Sequence, residues 1–270
     1  MGAHLHLIDH YLKIKSPIHR MDGRVKLVFT LALLLCCALL PAGSWSSYLL
    51  IFSILLAVTI ASNIGFIYLL KRSALALPFL LAALPLLFQT SGTLYKFTVG
   101  DLVVSLSHDG FIRFISLGIK SWLSVIAAIL LASTTSFTEL LLAFRSLKAP
   151  QLLVAVFSLM WRYLFLMVEE VDRLTRARLS RSGKSPLSKN RSGGSLPWRA
   201  RVTGSLAGSL FIRSLERSER VYQAMLARGY DGEIRSLREV PLERKEILNL
   251  VLAIIGLFLL TLSVNLVAGT

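Results

Sequence analysis

Acidic residues are scarce, cysteine is nearly absent, and the long apolar runs are almost empty of charge. The chain holds 15 Asp and Glu against 30 Lys and Arg in 270 residues, and its two cysteines, Cys36 and Cys37, are adjacent. An adjacent pair inside an apolar run offers neither a disulfide framework nor the spacing of a metal site. No early apolar segment leads to a small-residue cleavage site, so the amino end does not read as a cleaved signal peptide. The apolar runs lack the convergent ionisable groups that an intramembrane enzyme needs. They also lack the internal repeat with paired broken helices expected of a stand-alone carrier. The tetrapeptide from Ser182 to Ser185 mimics the end of a phosphate loop, but the pattern needs a glycine five positions before Gly183 and finds Arg178. No nucleotide site follows, and any ATP has to be hydrolysed by another chain.

What is there in excess is apolar surface. Hydrophobic residues make up 54% of the chain and charged residues 17%, with a mean hydropathy of +0.66. These apolar residues are gathered in runs of roughly 20, the length of helix that crosses about 30 Å of hydrocarbon. The sequence therefore predicts an all-α integral membrane protein with about five transmembrane helices: Val25 to Leu40, Tyr48 to about Leu70, Ala74 to Phe88, about Phe114 to Ala132, and Ile247 to Val267. Pro78 and Pro85 predict a kink in the third. The Gln89 to Arg113 stretch, punctuated by glycine, reads as a loop on the outer side in preference to a short hairpin.

Net charge of +15 raises the question of nucleic acid, and its location answers it. Residues 171–245 hold 17 of the Lys and Arg against 7 acids. A single basic block between membrane spans is what the positive-inside bias produces, so no nucleic-acid partner is expected. The amino-terminal arm (Lys13, Lys15, Arg20, Arg24, Lys26) and the Lys71/Arg72 turn are basic too, whereas the Pro41 to Ser47 turn is uncharged. The amino end is thus expected inside and, after five crossings, the carboxyl end outside. His4, His6 and His10 on that arm read as solvated or interfacial groups and not as a metal cluster.

This gives three regions: 1–133 with the arm and four spans, a cytoplasmic domain over 134–245, and the last span over 246–270. Within the cytoplasmic domain, helices are predicted near 137–147, 150–181 and 201–228, with a flexible Ser/Gly/Pro-rich linker at 182–198. The second begins apolar all round (Leu152 to Val168) and ends charged. The third places Phe211, Leu215, Tyr222 and Leu226 on one stripe, with Gly229 where a left-handed C-terminal cap belongs. Arg181 and Arg228 stand near the ends of these two helices, flanked by small residues. A guanidinium there can reach a carboxylate on a partner as a bidentate fork, or simply sit favourably at a helix end.

Several segments together resemble the CbiQ/EcfT family, transmembrane (T) components of energy-coupling factor transporters. They are "SPIHRMDGRVKLV", similar to the family's Asp-Pro-Arg-x-Lys-Leu motif with Gly23 in place of proline, then "TTSFTELLLAFRSLKAPQLL", "MWRYLFLMVEEVDRLTRARLSRSG" and "RSERVYQAMLARGYDG". The resemblance implies a subunit of the plasma membrane with no cofactor and no catalytic residue, which transmits the motion of two CbiO-like ATP-binding cassette ATPases. The recipient would be a CbiM-like substrate-binding membrane subunit, with a small CbiN-like subunit as a further partner. It also implies ATPase-coupling signatures at Ala227, Arg228, Gly229, a full match, and at Ser180, Arg181, Ser182, where only the arginine is kept. Cobalt uptake for cobalamin biosynthesis is the implied cargo, with nickel or a vitamin as alternatives.

Overall fold

A computed structural model describes residues 11, 14, 16–74, 77–87, 94–99, 102–181, 195–232 and 244–268. The chain divides into two compact units, one of residues 1–146 with 240–270, the other of residues 147–239.

The first unit is a helical bundle. A short α1 (Pro17–Arg20) leads to α2 (Gly23–Leu39), which starts where the Asp22 carboxylate accepts the Arg24 N–H at 2.9 Å. The turn after α2 is tied by Tyr48 Oη, which donates to the Pro41 carbonyl at 2.8 Å, and α3 (Trp45–Ser62) returns antiparallel. It stops at Asn63, whose φ of 55° lies in the left-handed region. The second expected span therefore ends near Ser62, not Leu70, and the chain resumes after Gly65 as the separate helix α4 (Phe66–Ser73).

The third expected span is not one kinked helix. It consists of α5 (Leu77–Ala82) and a 3-10 turn (Leu84–Leu87), because Pro78 and Pro85 each remove a backbone donor. The stretch expected as an outer loop carries a two-stranded antiparallel hairpin, β1 (Leu94–Val99) with β2 (Leu102–Ser107). The register pairs Leu94 with Ser107 and Val99 with Leu102. Then come α6 (His108–Thr134) and α7 (Phe137–Ser146). From the other end of the chain, α10 (Arg244–Ala268) closes the bundle.

Contacts fix the direction of each helix. Lys26 of α2 meets Thr134 of α6, and Lys120 of α6 meets Leu40 at the end of α2, so the two run antiparallel. Cys36 Sγ lies 3.8 Å from the Leu257 carbonyl, and Lys26 shares a cavity with Asn249, so α10 runs parallel to α2. Ser62 thus lies at the Lys26 end and His108 at or beyond the Leu40 end. The connection from α4 through α5 and the 3-10 turn has to traverse the bundle although no single helix does so. Leu70, Ser73 and Ala74 border an apolar cavity of about 440 Å³ with Phe114, Gly118 and Trp122. Lys71 and Arg72 therefore stand level with the first half of α6, where Arg72 lies 4.7 Å over the Tyr68 ring, and not in a turn at the Lys26 end as the charge pattern predicts.

The bundle core joins α2, α3, α4, α6 and α10 through Leu33, Cys37, Ile51, Leu69, Leu123 and Leu257, with Phe52 stacked on Trp122 at 5.8 Å. Cys36 and Cys37 are free, buried thiols. Many large side chains on the outer faces, such as Leu35, Leu49 and Phe258, are exposed, as suits a bundle whose solvent is lipid.

The second unit consists of α8 (Gln151–Arg181) and α9 (Leu196–Leu226). Helix α9 begins five residues earlier than the sequence predicts: Ser195 is its N-cap and Pro197 sits in the first turn. Among the described residues, four helices are long and apolar enough to cross a membrane: Trp45–Ser62, Gly110–Thr134, Gln151–Arg181 and Arg244–Val264.

Candidate functional site: two helix tips and the contact behind them

The sequence-predicted site residues fall at the ends of α8 and α9. Helix α8 terminates at Arg181 with Arg178 one turn before it, and the Ser180 hydroxyl folds back to donate to the Ala177 carbonyl at 2.9 Å. Ser182 lies outside the described residues, as does most of the expected linker at 182–198. At the other tip, Ala227 is the C-cap of α9. Gly229 has φ +79°, and the Tyr230 N–H reaches back to the Met225 carbonyl at 3.0 Å. That is the six-to-one bond of a Schellman close, and the left-handed glycine makes it possible. The cap expected at Gly229 is thus in place.

Ser180, Arg181, Ala227, Arg228 and Gly229 are all exposed, and neither the Arg181 nor the Arg228 guanidinium bonds to another described residue. The two tips belong to different helices. Helices α8 and α9 meet around Glu170, whose carboxylate accepts from Arg213 Nη1 at 2.9 Å and lies 3.7 Å from Arg173. Counted along the helix axes, Arg181 lies about 16 Å and Arg228 about 22 Å beyond that contact, at 1.5 Å per residue. Sequence reasoning missed this pair. The signal available was a glutamate at the junction of an apolar and a charged half-helix, but Glu169 beside it was as plausible, and nothing local marks Arg213 as the partner.

Helix α9 turns its charge inward. Arg213, Glu216, Arg217 and Arg220 line a polar cleft of about 280 Å³ with Glu170 and Arg173. The stripe of Phe211, Leu215, Tyr222 and Leu226 is left exposed. In α8 only Ala155 and Glu170 are buried, and in α9 none is. A helix pair that buries so little apolar surface of its own cannot be held by the hydrophobic effect acting within it.

Among the described residues no group of three or more His, Cys, Asp or Glu is placed to hold a metal ion. His4, His6 and His10 lie outside the described residues.

The chain is similar to known proteins along most of its length. The family profile CbiQ, described as cobalt transport protein, matches residues 14–239. An uncharacterised protein of Methanocaldococcus jannaschii is 28% identical over 94% of this chain and 85% of its own length. The energy-coupling factor transporter transmembrane protein EcfT of Macrococcus caseolyticus is 24% identical over 84% of this chain and 85% of its own. The cobalt transport protein CbiQ of Rhodobacter capsulatus is 27% identical over 73% and 77% respectively.

Proposed function

We propose, from the premise that this chain belongs to the CbiQ family, that it couples ATP hydrolysis on partner subunits to substrate release in the membrane. It is a transmembrane (T) component of an energy-coupling factor transporter, a multi-pass protein of the plasma membrane, and the family's part in transport is not an enzymatic one. In the finer reading, Arg181 and Arg228 each dock into an acidic pocket on one of two CbiO-like ATPases. Closing of the ATPases displaces α8 and α9, and the exposed apolar faces of these helices carry the displacement to a CbiM-like membrane subunit that holds the substrate. The observation that carries the reading is the pair of unbonded guanidiniums at the ends of two helices that bury almost nothing between them.

A docked guanidinium buried against a carboxylate is costly to truncate, because the carboxylate is left unpaired: about 2–5 kcal/mol, or roughly 30-fold or more in affinity. Arg181→Ala and Arg228→Ala are each expected to weaken co-purification of the ATPases, and the double change nearly to abolish it with the protein still inserted. Lysine at either site restores only part, since a point charge does not reproduce the fork. If the arginines only balance helix ends, each change is worth less than about 1 kcal/mol. Wild-type recovery of ATPases by the double variant, with transport intact, overturns the docking assignment.

Cobalt is the proposed cargo, after the family description and the relative named CbiQ. A T component serving nickel or a vitamin is the second reading, favoured by relatives named EcfT that match at similar identity. Uptake of radiolabelled cobalt by the complex purified with its native companions separates the two.

A further inference from the structure

The two lysines inside the bundle share an unusual arrangement. Lys26, buried, donates from Nζ to the carbonyl of Thr134, the last residue of α6, at 3.0 Å. Lys120 donates from Nζ to the carbonyl of Leu40, the C-cap of α2. Each of two antiparallel helices thus places its cation on the free carbonyl end of the other, where the helix dipole is negative. No described carboxylate lies within ion-pair distance of either ammonium.

The two ends differ in what surrounds them. At the Lys120 end the chain makes the turn into α3. At the Lys26 end, Thr134 is followed within three residues by α7, and α7 leads directly through Leu147–Pro150 into α8. The start of α2 is pressed onto that corner: a Cβ built on Gly23 would lie 3.2 Å from the Glu139 Cβ and 3.3 Å from the Thr135 Cγ2. Ser133, Thr134 and Thr135 are all buried. Glu139, Asp22 and Glu246, from α7, the cap of α2 and the first turn of α10, supply the negative field around the Lys26 ammonium. One side chain thus ties α2 to the α6–α7 corner, and α7 is followed in the chain by the helices that carry Arg181 and Arg228.

We propose that Lys26 is a positioning residue for coupling: it makes the α6–α7 corner and α2 one rigid body, so that force arriving through α8 moves the bundle and does not merely bend the corner. This rests on the T-component reading above. Binding of ATPases does not pass through Lys26, and neither does hydrolysis, so its loss is expected to separate hydrolysis from transport.

The test is made on the full complex reconstituted in vesicles. Lys26→Met is expected to co-purify with the ATPases at wild-type level, to hydrolyse ATP within about 2-fold of wild type, and to transport at least 10-fold less substrate per ATP. Lys26→Arg, which keeps a donor for the Thr134 carbonyl, recovers most of that ratio. Lys120→Met, which removes the matching bond at the far end, leaves the ratio unchanged even where it lowers thermal stability. A second variant addresses rigidity directly. Gly23→Cys with Glu139→Cys, in a background with Cys36 and Cys37 replaced by Ala, sets two Cβ atoms 3.2 Å apart across the joint, a few tenths of an ångström short of the usual disulfide span. A rigid joint tolerates that bond, and oxidised vesicles transport as well as reduced ones; loss of transport on oxidation, restored by reductant, overturns the proposal. Lys26→Met with an unchanged transport-to-hydrolysis ratio overturns it as well. Where Lys26→Met does not insert, the cross-link alone decides. A wild-type chain that recovers no ATPases at all overturns the T-component reading instead, which is a separate outcome.

Discussion

At the scale of the residue, local features were legible in the sequence and distant partnerships were not. The left-handed close at Gly229 follows from a glycine just past an amphipathic stretch, and the structure has it there. Glu170 and Arg213 are 43 positions apart, and Lys26 and Thr134 are 108 apart, so no spacing rule links them. The Glu170 carboxylate is nearly buried, with 10% of its side chain accessible, whereas that of Arg213 keeps 57%. The two truncations are therefore unequal. Arg213→Ala leaves a buried carboxylate with only Arg173 at 3.7 Å and is expected to loosen the α8–α9 contact by about 1–3 kcal/mol. Glu170→Gln keeps an acceptor for Arg213 and should cost less than half of that. Thermal unfolding of the complex in detergent, monitored by proteolysis between the two helices, ranks the variants; an equal loss from both would mean the pair is solvent-screened.

At the scale of the element, helix types were legible and their interruptions less so. Apolar runs of sufficient length named α2, α3, α6 and α10 because lipid leaves a spanning segment few alternatives to helix. The break after Ser62 was missed because Asn63 is a single residue in the left-handed region within an otherwise apolar stretch, and Asn tolerates that region better than most. Pro78 and Pro85 suggest one kink in the sequence, yet each removes a backbone donor, and the helix that holds the first stops at Ala82 before the second. The start of α9 is hard to see in the sequence because Ser195 and Pro197, which form its start signal, continue the Ser/Gly/Pro-rich composition of the stretch before them. Helix ends are also where a small change is readable. Gly229→Ala introduces a Cβ with nothing within 4 Å, so only its positive φ is penalised. The expected cost is about 1 kcal/mol, seen as roughly 5-fold faster exchange of the Tyr230 amide, with Asn at 229 intermediate. No change in exchange would mean that the Schellman close does not persist in the complex.

At the scale of the whole molecule, the membrane class and the family were legible throughout, since composition and four motif segments point the same way. The arrangement of crossings was legible only in part. The ends of α2, α3, α6 and α10 place Arg20, Arg24, Arg145, Arg244 and Lys245 toward one end of the bundle, which the positive-inside bias assigns to the cytoplasm. Lys71 and Arg72 do not join them. Cysteines introduced singly in the Pro41–Ser47 turn should react with a membrane-impermeant reagent in sealed right-side-out cells, and cysteines in Ser185–Ser195 should not; labelling of the latter would reverse the orientation. The crossed lysines carry one more consequence, for biogenesis. A lysine midway along an inserting helix costs about 2.5–3.5 kcal/mol on its own, and Lys120 is offset by a carbonyl that exists only once α2 is already in the bilayer. Since α2 is made first, the Leu40 carbonyl is waiting for Lys120 when α6 leaves the ribosome, whereas Lys26 finds the Thr134 carbonyl only once α6 has followed, so the arrival of α6 completes both bonds.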